Sequence, residues 1–390
     1  MYSACPRVKE TVMLKEANNA MKFDDEQAMI MKSAREFCRK KSPVSEVREQ
    51  LETANGYDPK LWDEIVELGW PGVSFPEAFG GFALGIESVI SITESMGRYM
   101  FTPPLISTIL AGQAILRAGT EDQKNTWLPK IADGTIGTVA LLDNEDWGND
   151  TISCVAKEQD GKLALTGIKG FVTDAGVAEL FVVLVNLDKA PAFIIVNSDQ
   201  LSEDAIVRQI LIDETKRAFK VDFTGVVVEK SAMLDPEKSV TALLDLKLVG
   251  ALLIAAEATG SAAAALDVTV EYLKNRKQFG KFIGSYQALK HPTVKVLNSM
   301  EAARNLLYHA ATIVGEGPLD KDMEIACRMA KAQASDALAF AGDRAVQFHG
   351  GMGFTYECDA QLYIRRAQWS QQLFGDAYHH RKRLAPLLLD

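Results

Sequence analysis

The sequence predicts an α+β protein of several domains, in which a β-rich middle segment separates two helical segments. Helical apolar spacing fills most of the chain up to about residue 133, and short β-branched runs follow. From Ser239 onward long helical patterns return. A chain of 390 residues is long enough for two or three domains. We expect an extension (1–21), a helical domain (22–133), a β domain (134–236) and a second helical domain (237–390).

The composition is that of an ordinary globular protein, with 47% hydrophobic and 24% charged residues. A net charge of −10 argues against a nucleic-acid surface and offers no basic patch to a membrane. The five cysteines are scattered, without zinc spacing, so we expect no metal site and a reduced, cytoplasmic protein. We also expect no membrane span and no secretory signal, because no apolar run is long enough and the first residues lack an apolar core.

Four helices are predicted in the first domain. Asp24 and Asp25 place acids at the start of the first one, where they complement the helix dipole. The prolines and glycines of Trp70–Phe82 forbid a continuous helix between the second and the third. The predicted helices are Asp24–Leu51, Pro59–Leu68, Ile86–Met96 and Leu105–Ala118.

The middle domain is predicted from short runs of β-branched residues separated by glycine or acidic residues. The predicted strands are Val139–Leu142, Leu163–Lys169, Leu180–Val185, Ala192–Val196 and Val221–Val228.

The third domain begins with a long alanine-rich helix, in which Leu266, Val270 and Leu273 recur at helical spacing. We expect this helix to be buried. The predicted helices here are Val240–Leu273, Pro292–Gly315, Asp322–Gln347 and Asp359–Leu373.

The stretch Glu271–Gln287 follows that helix and combines a cation, an aromatic ring, glycines and an amide. Arg276 supplies the charge, while Gly280 and Gly284 allow the backbone to turn and to approach a ligand closely. On local chemistry alone, two interpretations stay open: a grip on a phosphate-bearing aromatic ligand, or a helix end with a polar surface loop.

A second motif, Gln347–Phe354, has the form Q-x-x-G-G-x-G-F. Together with R-x-x-F-G-x-x-I-x-x-x-Q in the first stretch, it resembles the acyl-CoA dehydrogenase family. The loop Pro76–Gly81 is similar to that family's P-E-x-x-G-G loop. The resemblance implies an N-terminal helical domain, a middle β-barrel-like domain and a C-terminal four-helix bundle. It also implies a homo- or hetero-oligomer built as a dimer of dimers, usually a tetramer.

The resemblance implies FAD as the cofactor, so the protein would be a flavoprotein oxidoreductase. The two motifs of the family hold the ADP half of an FAD that is bound mainly to a neighbouring subunit. The residues that match these motifs here are Arg276, Phe279, Gln287, Gln347, Gly350 and Gly351.

The isoalloxazine ring is covered in the family by a W-[IV]-[TS]-N-[AG] segment, which is similar to Phe171–Ala175 here. Phe171 would stack on the ring and Thr173 would hydrogen-bond its edge. Plain strand packing is the alternative for both. The family's T-E-P-x-x-G-S-D segment is poorly matched, with only Gly148 and Asp150 in place.

The family's reaction is the α,β-dehydrogenation of an acyl-CoA thioester, in which a carboxylate removes the α-proton. An electron-transfer flavoprotein would accept the electrons. The two positions that usually carry the carboxylate match Phe374 and Gly250, so neither holds one. By its order in the chain, helix segment Ile90–Arg98 would line the acyl cavity.

Two explanations of the missing base stay open. Another acid serves, either Asp376 or Glu257; or the chain is a catalytically silent partner that shares an FAD site. The ending F-G-D-A-x-x-H-x-x-R-L is similar to a branch that degrades steroids and other bulky or cyclic acyl groups with unlike subunits. His379, His380 and Arg383 in this ending would be solvated surface or a CoA-phosphate contact. A flavin-free or oxygen-using relative is the third interpretation.

Overall fold

The computed structural model describes residues 25–144, 146–148, 151–315 and 317–389, so the extension 1–21 and Asp150 lie outside the described residues. Among the described residues, six α-helices form the first part of the chain. They are α1 (Asp25–Lys41), α2 (Val44–Leu51), α3 (Pro59–Glu67), α4 (Gly85–Arg98), α5 (Leu105–Ala118) and α6 (Glu121–Ala132).

Proline and capping residues explain where these helices differ from the sequence prediction. The segment Asp24–Leu51 forms two helices because Pro43, in an extended conformation, separates α1 from α2. The segment around Gln123, for which no helix was predicted, lies inside α6. Thr120 caps that helix, and the Thr120 and Gln123 side chains each bond the other's backbone N–H.

The middle segment contains two sheets. The larger has the order β1-β5-β2-β3-β9, with β6 also paired to β5, and the smaller has the order β4-β8-β7. The strands are β1 (Gly137–Ala140), β2 (Val155–Gln159), β3 (Lys162–Thr166), β4 (Ile168–Thr173), β5 (Leu180–Leu187), β6 (Ala190–Asn197), β7 (Ile206–Arg208), β8 (Ala218–Asp222) and β9 (Val227–Glu229).

Gly167 divides a run that the sequence predicts as one strand. Its φ is +139°, and a Cβ at this position would lie 2.7 Å from the Cα of Cys154. The chain turns there, so β3 joins the larger sheet and β4 joins the smaller one. The predicted strand Val221–Val228 is divided in the same way between β8 and β9.

The last part of the chain is helical, with one small hairpin. Its elements are α7 (Pro236–Asn275), β10 (Lys277–Gln278), β11 (Lys281–Phe282), α8 (Gln287–Ile313), α9 (Lys321–His349), α10 (Ala360–Gln372) and α11 (Ala377–Leu389). The hairpin and α11 were not predicted. Strands of two residues carry no periodicity to detect, and α11 contains Pro386.

Helix α7 is the centre of the molecule and packs against α4, α5, α8, α9 and α10. Among the described residues it is the one helix long and apolar enough to cross a membrane, so the expectation of no such run was wrong. Of its most apolar 18-residue window, 72% is buried inside the protein, as in a core helix.

A buried charge network joins the three parts of the chain. The Arg366 guanidinium on α10 pairs with Asp213 in the loop before β8, and its Nη1 lies 3.1 Å from Glu257 Oε1 on α7. Lys216, in the same loop, pairs with the same Glu257 oxygen. Next to it, Arg217 donates to the backbone carbonyls of Gln50, Leu51, Thr53 and Ala54, at the end of α2 and just after it.

We predict that Arg366→Leu lowers the free energy of unfolding by about 3–5 kcal/mol, because Asp213 and Glu257 would keep their buried charges without this cation. The neighbouring Arg365→Leu is the control. The ion pair between Arg365 and Glu214 is half-exposed and should contribute less than about 1 kcal/mol to the free energy of unfolding. Urea unfolding followed by circular dichroism measures both, and equal effects of the two substitutions would contradict the role of the network.

Candidate active site

A central cleft lies where the three parts of the chain meet. The start of α5 and the residues before it, the ends of β1 and β4, the loop before β8, and α7 with the end of α10 form its walls. The residues that line it include Ser107, Trp147, Phe171, Thr173, Asp174, Lys216, Trp369 and Phe374.

Phe171 and Thr173, the two residues predicted to cover a flavin ring, both line this cleft and are half-buried. Phe171 has a φ of +48°, and its backbone N–H donates to the Gln209 side chain at 2.8 Å. The backbone carbonyl of Thr173 accepts the Thr138 hydroxyl at 2.7 Å. Both backbones are therefore anchored away from the cleft, while the side chains help to form its wall.

Phe374 and Gly250, the two positions that would carry a base, lie against each other. A Cβ at Gly250 would lie 2.5 Å from the Phe374 Cζ. The Phe374 ring also packs on Trp147, with 4.6 Å between the ring centroids, and its φ is +58°. Neither predicted position therefore holds a carboxylate, and the Phe374 ring fills the space next to Gly250.

The two alternative acids have structural partners. Asp376 caps α11: its Oδ1 accepts the backbone N–H of His379 at 2.7 Å, and it is not among the described residues that line the cleft. Glu257 is buried on α7 and bound by Lys216 and Arg366. This geometry does not favour either residue as the base, and the role of Asp376 stays a prediction.

Asp174 is the one carboxylate that lines the cleft among the described residues. The Ser107 hydroxyl donates to its Oδ2 at 2.6 Å, and burial raises the pKa of Asp174 above its ordinary value. Sequence reasoning did not single out this residue, because it was treated as part of the segment Phe171–Ala175. The available signal was that Asp174 stands where the family's segment usually has Asn.

His379, His380 and Arg383 lie in a second pocket, together with Lys247 and Arg328. Trp147 and Phe374 line this pocket as well as the cleft, so their packed rings lie between the two. Burial, and secondarily the nearby cations, lowers the pKa of His380 to about 3, so this imidazole is neutral at pH 7.

The two glycine-containing motifs meet on the surface, at one end of the helical domain. A small apolar cluster of Leu273, Ile283 and Phe348 joins the β10–β11 hairpin to the end of α9. Phe279, at the hairpin tip, is 91% exposed. The six residues predicted to hold the ADP half are all exposed: Arg276, Phe279, Gln287, Gln347, Gly350 and Gly351.

Helix segment Ile90–Arg98, predicted to line the acyl cavity, does not line the central cleft. Helix α4 faces α1, α7 and α8, and the first helical domain contributes Thr102–Leu110 to the cleft instead. The role of Ile90–Arg98 in an acyl cavity stays a prediction.

Comparison with known proteins agrees with this architecture. The family descriptions "Acyl-CoA dehydrogenase, N-terminal domain" and "Acyl-CoA dehydrogenase, C-terminal domain" match residues 24–135 and 248–388. The fold is that of a family of flavin-dependent oxidoreductases. The chain belongs to the acyl-CoA dehydrogenase family, whose members use FAD.

Two curated relatives and one solved structure illustrate the similarity. The acyl-CoA dehydrogenase IpdE2 of Mycolicibacterium smegmatis is 28% identical over 93% of this chain and 98% of its own length. A short-chain-specific acyl-CoA dehydrogenase of Megasphaera elsdenii is 31% identical, covering 89% and 94%. The structure of a Tcur3481–Tcur3483 steroid acyl-CoA dehydrogenase variant aligns with a TM-score of 0.80 at 27% identity, covering 93% and 98%.

The residues present fit an FAD in both of its halves. In the cleft, the buried Trp369 Nε1–H has no partner within the described part of the chain, so a hydrogen-bond acceptor is needed there. On the surface, Gly350 has a φ of +63°, and no described atom lies within 4 Å of a Cβ at Gly350 or Gly351, so the backbone of this turn is open to close approach by a phosphate. No group of described residues could hold a metal ion.

We predict that Gly250→Ala changes stability with opposite sign in two backgrounds. In the wild-type chain the new methyl group meets the Phe374 ring and destabilises by about 1–3 kcal/mol. In Phe374→Ala the ring is gone, and alanine in a helix should then stabilise by about 0.5–1 kcal/mol. A double-mutant cycle from urea unfolding measures the coupling, and additive effects would show that the two residues are not in contact.

Proposed function

We propose that this chain is the non-catalytic subunit of a heteromeric, FAD-dependent acyl-CoA dehydrogenase. An unlike subunit supplies the carboxylate that removes the α-proton. This chain supplies the Arg276 hairpin and the Gln347–Gly351 turn to a shared FAD site.

The observation that carries the proposal is the contact between Phe374 and Gly250. A family member needs a carboxylate near the thioester α-carbon, and both usual positions here are occupied without one. The packed rings of Trp147 and Phe374 also lie between the basic pocket and the cleft. The basic pocket has the charge to hold a CoA phosphate, and the acyl group would react in the cleft.

Two further observations support a paired assembly. The six dinucleotide-holding residues are exposed on this chain, as expected if they face a second subunit. The similar steroid dehydrogenase structure carries two protein names, Tcur3481 and Tcur3483. From this similarity we infer that the acyl group is bulky or cyclic and that the assembly is a dimer of dimers. A cytoplasmic location and reoxidation by an electron-transfer flavoprotein complete the proposal.

A self-sufficient dehydrogenase is the second candidate, because Asp174 lines the cleft and its pKa is raised. In that case the base would be a carboxylate of this chain, either Asp174 or the predicted Asp376.

Activity of the chain alone and in its assembly distinguishes the two candidates. We expect the purified chain not to bleach its flavin with a steroid-CoA thioester or with butyryl-CoA. Co-expression with a homologue that carries a base should give turnover, preferring the bulky thioester. In the assembly, Asp376→Asn and Asp174→Asn should change kcat by less than a few-fold.

Loss of a general base costs about a hundredfold or more. A chain that turns over alone, and loses that much activity on either substitution, would establish the self-sufficient dehydrogenase instead.

We also predict that Arg276→Ala weakens FAD retention by the assembly at least tenfold, because a charge-assisted contact to a phosphate is lost. Lys281→Ala is the control, since Lys281 is an exposed cation in the same hairpin at a position that the motif leaves unspecified. The measurement is the bound flavin per assembly after dialysis, read from its visible absorbance. Equal losses in the two variants would mean that the hairpin contributes only general positive charge.

A further inference from the structure

The loop Leu373–Asp376, between α10 and α11, carries Phe374 into the cleft in an unusual conformation. Phe374 has a φ of +58° and the following Gly375 has a φ of +96°. A bulky residue rarely adopts a positive φ, because its side chain crowds the backbone. Such a conformation persists when surrounding contacts hold it.

Lys331 on α9 provides several of those contacts. Its side chain is fully buried, and its ammonium donates to the carbonyls of Ser370 at 3.1 Å, Gln371 at 3.1 Å and Gly375 at 3.0 Å. The Ser335 hydroxyl is a fourth neighbour at 2.9 Å. Two of these carbonyls belong to the last turn of α10, which has no later helical N–H to satisfy them.

His380 holds the same loop from α11. Its Nε2 lies 3.0 Å from the Phe374 carbonyl oxygen, and its side chain is buried. The loop amides are also bonded: Gly375 N–H to the Gln372 carbonyl at 3.1 Å, and His380 N–H to the Asp376 carbonyl at 3.0 Å. Helices α9, α10 and α11 are therefore joined at this one loop.

We propose that Lys331 is a positioning residue that latches the loop Leu373–Asp376 and so keeps Phe374 between the basic pocket and the cleft. Burial lowers the pKa of Lys331 to about 7, and the Asp376 carboxylate opposes this. An ammonium at such a site is unfavourable unless oxygen atoms surround it, as they do here. The latch concerns how the loop is held, and it does not depend on which subunit supplies the base.

Hydrogen exchange of the full chain, followed by mass spectrometry, tests the latch. In Lys331→Met the amides of residues 373–380 should exchange at least about tenfold faster, while strands β5 and β6 keep their wild-type rates. Lys169→Met is the matched control. Lys169 is an equally buried lysine, bound to Asp143 at 2.9 Å in the β domain, and its loss should leave residues 373–380 unchanged.

A uniform rise across the chain, or an equal rise at residues 373–380 in the Lys169 variant, would overturn the proposal, since general destabilisation would then explain the result. Unchanged exchange in Lys331→Met would overturn it as well. If that variant is insoluble, Lys331→Gln keeps two N–H donors and should give a smaller rise confined to the same residues, and the absence of any rise would again overturn the latch.

Discussion

A guanidinium with no access to solvent, that of Arg366, lies between two carboxylates that belong to different parts of the chain. One of them, Asp213, comes from the β domain, and the other, Glu257, from the central helix. Buried charges tolerate little displacement, because each depends on the others for the solvation that water no longer provides. The walls of the cleft are fixed relative to each other by this arrangement, whereas apolar packing alone would allow them to slide.

The cleft combines features that suit a flavin with the absence of a carboxylate at the two positions predicted to carry one. Phe171, Thr173 and the Trp369 N–H, which has no partner among the described residues, suit a flat, polar-edged ring. Phe374 and Gly250, at the two predicted positions, lie against each other instead. The family's fold is thus present without its usual acid, which illustrates why function has to be argued from the site rather than from the fold.

Much of the fold and part of the candidate site were predictable from the sequence, because hydrophobic periodicity and short motifs are local signals. The helices, the β segment and the two glycine motifs depend on residues close together in the chain. The break at Gly167 was missed because it depends on contact with Cys154, and the network around Arg366 was missed because Arg366 lies more than a hundred residues from each of its two carboxylate partners. The contact between Gly250 and Phe374 was also beyond sequence reasoning, which treated each position separately.

The exposed tip of the β10–β11 hairpin has a consequence for how the protein is made. Phe279 is almost wholly accessible to water, and Phe354, in the turn after α9, is 74% exposed. Aromatic surface of this kind favours non-specific association when nothing covers it. For the proposed assembly, a cell would therefore gain from translating this polypeptide close to its partner subunit and in matched amounts, so that few unpaired copies accumulate and precipitate.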